Sequence, residues 1–108
     1  MSTTTVSVTV TPEAAARVAE LGMQGELERM LEHTRQGVPG LRSIEVRLAL
    51  PYDTGDETSI IIEATMDDPH FEYDPTEDEL GSWKVDTFPP DVCRYFVIMT
   101  VYWTPHER

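Results

Sequence analysis

The stretch Cys93–Trp103 constrains this chain most: eleven residues, Cys-Arg-Tyr-Phe-Val-Ile-Met-Thr-Val-Tyr-Trp, dominated by β-branched and aromatic side chains. Such a run favours a strand and falls well short of the roughly 18–20 apolar residues of a membrane helix. Side chains of a strand alternate between its faces, so Tyr95, Val97, Met99, Val101 and Trp103 share one side, and Phe96, Ile98, Thr100 and Tyr102 the other. Both sides are apolar. A strand of that kind is expected in the interior of a sheet, covered by helices, by another sheet or by a second copy of the chain.

The preceding segments punctuate themselves. Val6, Val8 and Val10 alternate with Ser7, Thr9 and Thr11, the period of a short strand. Thr11-Pro12-Glu13 then has the form of a helix start, with a threonine N-cap, proline at the first helical position and an acid in the first turn. Helical spacing runs to about Gln36, where Gly37-Val38-Pro39 closes it. Gly22 followed by Met23, with Gly25 close behind, predicts a break into two helices near Gly22. Ser43–Leu50 alternates cleanly, with Ile44, Val46, Leu48 and Leu50 inward. The Asp/Gly/Thr-rich turn 51–57 links it to a second strand over Thr58–Met66, so the pair is expected as a hairpin. Asp74-Pro75-Thr76-Glu77 reads as a capping box opening a helix that Pro89-Pro90 ends.

The resulting order, β-α(α)-β-β-α-β, predicts one α+β domain over residues 1–108. The expected form is a two-layer sandwich, a three- or four-stranded, mostly antiparallel sheet with helices on one face. A ferredoxin-like plan fits this order. Its last strand lies at an edge, however, while Cys93–Trp103 looks interior; pairing with a second chain would reconcile the two, and a homodimer is expected on that ground.

Charge narrows the function. The formal net charge is −12, and residues 51–91 hold thirteen acidic side chains against one basic one, Lys84, so all of it lies in that block. A field of this sign repels phosphate backbones and disfavours nucleic acid as a partner, while it attracts basic proteins. The start of the chain lacks a basic segment followed by an apolar core, and no apolar run reaches membrane-spanning length. The expected location is therefore the cytoplasm, with no membrane contact.

Each candidate for chemistry has a plainer reading. Asp53-Thr54-Gly55 has the letters of the aspartic-protease triplet, yet it sits in a hairpin turn with Asp56 and Glu57 directly after it. His70 lies among Asp67, Asp68, Glu72 and Asp74 in a spacing that suits neither an EF-hand nor a zinc site, and a solvated acidic loop accounts for it. Cys93, the single cysteine, has Arg94 beside it, with His33 and His106 as the nearest candidates for a base; a small core residue is the simpler reading. No catalytic residue, metal site or cofactor is assigned.

The reading that remains is a small acidic protein-protein interaction module, such as an inhibitor or antitoxin-like partner covering a basic surface. Its expected contact residues are Tyr52, Asp53, Asp56, Phe71, Glu72 and Tyr73, where aromatic anchors are interleaved with steering carboxylates. The alternative is a small-molecule-binding or enzymatic domain with a pocket at a homodimer interface around Trp83, Tyr95 and Trp103.

Overall fold

The structure, a computed structural model, describes residues 6–49, 59–67 and 75–103. Its elements are β1 (Ser7–Val10), α1 (Pro12–Leu21), α2 (Gln24–Gly37), β2 (Leu41–Leu48), β3 (Ile60–Asp67), α3 (Thr76–Thr87), α4 (Pro90–Cys93) and β4 (Phe96–Trp103).

Local chemistry explains the helix boundaries. Ala14 donates its N–H to Thr11 Oγ1 at 3.2 Å, which satisfies one of the free amides at the start of α1. At the other end Gly22 adopts φ 70°, and the N–H groups of Gly22 and Met23 donate to the carbonyls of Ala19 and Val18. These are the two bonds of a Schellman turn, so the helical span breaks where the glycine spacing predicts.

The sheet order is β1-β2-β3-β4, with β1 parallel to β2, β2 antiparallel to β3 and β3 parallel to β4. The hairpin between β2 and β3 is present, but the sheet is mixed, and a mostly antiparallel arrangement holds at only one of its junctions. Covalent linkage is the reason. Both β1-α1-α2-β2 and β3-α3-α4-β4 pass through helices, which carry the chain back to its starting end so that the next strand runs parallel. Each strand also lies beside its sequence neighbour, which excludes the interleaved ferredoxin-like order.

The core lies between the helices and one face of the sheet. Ala14, Val18, Leu27, Met30 and Leu80 pack there against Ile44, Val46, Ile60, Ile62, Ala64, Met66, Phe96 and Ile98. Residues of opposite parity, among them Glu45, Arg47, Ile61, Glu63, Val97, Met99 and Val101, take no part in that cluster. Among the described residues no helix is long and apolar enough to cross a membrane.

Two expectations about the last strand are corrected. Among the described residues it occupies an edge of the sheet, with β3 as its one neighbouring strand. Its two apolar faces have separate origins: Phe96 and Ile98 enter the core, while Val97, Met99 and Val101 make a half-buried strip on the opposite face. Cys93 does not open the strand but ends α4, which Pro90 starts.

The two glycines near the break between α1 and α2 have opposite roles, so their alanine variants should shift stability in opposite directions. Gly22→Ala forces a Cβ into the left-handed region and should lower the unfolding free energy by about 1 kcal/mol. Gly25 lies inside α2 with open space around its missing Cβ, and Gly25→Ala should raise it by roughly 0.5–1 kcal/mol. Urea unfolding of the two variants checks both signs.

Candidate functional site

Helix α3 organises the features most able to take part in recognition. Its sequence Thr-Glu-Asp-Glu-Leu-Gly-Ser-Trp-Lys-Val-Asp-Thr buries Thr76 and Leu80 and sends other side chains to either flank. On one flank is a groove shared with α2; on the other is the outer edge of β4.

The groove is open and has a volume of about 600 Å³, with Gly25, Glu28, Arg29, Glu32 and Gln36 of α2 facing Trp83 of α3. The His33 and Trp83 rings stack with centroids 3.9 Å apart and planes within 3° of parallel. Trp83 in turn meets Phe88 edge-on at 5.5 Å. Arg29 places its guanidinium 4.9 Å from the Phe88 centroid. Face-to-face and edge-to-face contacts of this kind add attraction beyond buried area, so the three rings staple α2 to the C-terminal half of α3. Charges of both signs line the groove, and Glu32 is already engaged by Gln36 Nε2 at 2.6 Å and by Arg35 at 3.9 Å.

At the β4 edge, side chains of α3 reach main-chain groups. Lys84 Nζ donates to the Phe96 carbonyl at 2.6 Å. Glu77 Oε1 accepts from the Thr100 N–H at 3.1 Å and from the Thr100 hydroxyl at 3.2 Å. The Tyr95 carbonyl accepts from the Ile60 N–H, so odd-numbered residues of β4 turn their polar groups toward β3 and even-numbered ones turn theirs outward. Phe96 and Thr100 are both even. Glu77 and Lys84, two helical turns apart, thus satisfy outward-facing groups of Thr100 and Phe96 at the outer edge of the described sheet. The capping-box role expected of Glu77 gives way to this contact, and Pro75 holds the N-cap position with no side-chain bond.

Burial lowers the Lys84 pKa from 10.5, and the neighbouring Cys93 raises it by a smaller amount. The Cys93 sulfur lies 3.4 Å from the Lys84 carbonyl and 3.5 Å from that of Phe88, where its S–H serves as a donor to the end of α3. Of the two imidazoles weighed as a base for Cys93, His33 is stacked on Trp83, and His106 lies outside the described residues. Among the described residues no group of three His, Cys, Asp or Glu side chains is placed to hold a metal.

The residues expected to line a shared pocket fall in separate places. Trp83 belongs to the groove on α3. Tyr95 precedes β4, with the guanidinium groups of Arg17 at 5.6 Å and Arg94 at 5.2 Å from its ring. Trp103 ends β4, with Arg42 3.6 Å above its ring, and Arg42 also binds Asp67. Within one chain these three side chains keep different company. Tyr52, Asp53, Asp56, Phe71, Glu72 and Tyr73 lie outside the described residues, as do His70 and His106.

The pattern of ion pairing is the clearest electrostatic feature. Arg17 pairs with Glu20, Arg35 with Glu32, Arg42 with Asp67 and Arg47 with Glu63. Arg29 and Arg94 sit over aromatic rings, and Lys84 is tied to a carbonyl. Each basic side chain among the described residues is therefore committed inside the molecule, whereas Glu13, Glu28, Glu45, Glu79, Asp86 and Asp91 are exposed.

Comparison with known proteins adds nothing to this picture: no protein-family model, no curated protein and no solved structure matches the chain.

Lys84 is the only lysine, so its titration can be followed alone. In protein labelled with ¹³C-lysine the single side-chain signal should titrate with a midpoint below 10.5. A lysine with a lowered folded-state pKa binds fewer protons folded than unfolded, so its contribution to stability rises with pH between the two values. A midpoint at or above 10.5 would show that the ammonium is not desolvated as described.

Proposed function

We propose that this protein is a small acidic interaction module of the cytoplasm that binds a basic protein, in the manner of an inhibitor or antitoxin covering a positively charged surface. The observation that carries this reading is the asymmetry of pairing. The arginines and the lysine of the described residues are occupied by partners within the chain, while carboxylates on α1, α2, α3 and β2 face solvent. An excess of exposed carboxylates over basic side chains that already have partners steers a basic partner during encounter and disfavours anionic ones. The block 51–91, which holds all of the net charge, supplies the contact residues Tyr52, Asp53, Asp56, Phe71, Glu72 and Tyr73. Aromatic side chains there anchor the complex and the carboxylates align it.

Tagged protein used to capture partners from its native host at low salt should retain a basic protein, and a wash at about 1 M salt, where the Debye length falls to about 3 Å, should release it. Replacing Tyr52, Phe71 and Tyr73 by alanine should slow capture little and speed release, while neutralising Asp53, Asp56 and Glu72 should mainly slow capture. Retention that is indifferent to salt, or capture of acidic proteins alone, would overturn the reading.

A further inference from the structure

The edge of β4 is long and uncharged. It runs for eight residues, Phe-Val-Ile-Met-Thr-Val-Tyr-Trp, without a proline or an ionisable carboxylate or amine. Soluble proteins normally blunt such an edge with charges, bulges or shortness, as in β1 at the other end of this sheet, which has four residues. Among the described residues α3 does part of that blunting, through Glu77 on the Thr100 N–H and Lys84 on the Phe96 carbonyl.

Those two contacts are complementary to each other under a two-fold rotation. Rotation about a two-fold axis perpendicular to the sheet, level with Ile98 and just outside the β4 edge, sets β4 antiparallel to its copy, with Phe96 opposite Thr100 of the second copy and Ile98 opposite Ile98 of the second copy. The outward-facing residues of both strands then meet in hydrogen-bonded pairs. The Thr100 N–H finds the Phe96 carbonyl of the second copy, and Glu77 and Lys84, released from those groups, come level with Lys84 and Glu77 across the axis. Opposite charges therefore meet twice. On the face away from the helices Val97 meets Met99 of the second copy, with no charge in the seam. Next to the edge, α3 presents Glu77, Gly81, Lys84 and Val85 along one stripe; a Cβ at Gly81 would have open space, and Val85 is 64% exposed.

We infer that the β4 edge is a strand-addition site for a second copy of this chain, forming a continuous eight-stranded sheet in which Glu77 of each copy pairs with Lys84 of the other. The test of this interface needs the purified chain alone.

Light scattering across the micromolar range should give twice the chain mass for the wild type. Glu77→Lys and Lys84→Glu each place like charges across the axis and should weaken dimerisation by at least about tenfold. An equimolar mixture of the two variants, and the doubly exchanged protein, should recover it. Circular dichroism of each variant reports whether the fold persists. Should either variant unfold, hydrogen exchange of the wild type decides: the Ile98 and Thr100 amides should become more protected as protein concentration rises. A monomeric wild type, a mixture that fails to recover dimer from folded variants, or concentration-independent exchange at Ile98 would overturn the inference.

Discussion

The pairing of β2 with β3 is the constraint on which the remaining elements depend. It is the one junction made by direct antiparallel return, and it places Ile44, Val46, Ile60, Ile62, Ala64 and Met66 side by side, all buried. The helices pack over that surface. β1 and β4 are then added outside this pair, each through a helical crossover whose apolar side closes over the same face. Direction follows from connection: a short turn reverses the chain, and a crossover restores it.

The same layout divides the charge into two roles. Basic side chains lie where they have something internal to hold: Arg47 on Glu63 across the hairpin, Arg42 between Asp67 and Trp103, Lys84 at the start of β4. Exposed ion pairs of this kind contribute little to stability individually, about 0–1 kcal/mol, so their effect on the surface exceeds their effect on the fold. Each engages one carboxylate for one cation, and the acids outnumber the bases. The exposed acids are left uncompensated, and the surface field takes their sign.

Elements bounded by capping chemistry were legible in the sequence; their spatial neighbours were not. Thr11-Pro12 and Gly22-Met23 specify local hydrogen bonds, and the helix starts and ends where those bonds form. The hairpin was legible because alternation in Ser43–Leu50 and Thr58–Met66 is interrupted by a single turn. Strand order is a different kind of information, since nothing in Phe96–Trp103 states that one apolar face is core and the other a strip beside an open edge. The sites followed the same divide. Glu77 satisfies the local grammar of a capping box, yet its partner Thr100 lies twenty-three positions away. Lys84 stood out in the sequence only as the lone cation of an acidic block, and its contact with the Phe96 carbonyl is a product of the fold. The stacking of His33 on Trp83 left no trace in either residue's neighbourhood.

The position of β4 at the end of the described chain has a consequence for folding. Its parallel pairing with β3 closes only after α3 and α4 are in place, so an eight-residue, uncharged, β-prone segment is the last to find its partner. Segments of that composition nucleate cross-β association when left waiting. The dense carboxylates upstream in residues 51–91 travel with it on every chain. Mutual repulsion between unfinished chains therefore acts as a gatekeeper during that interval.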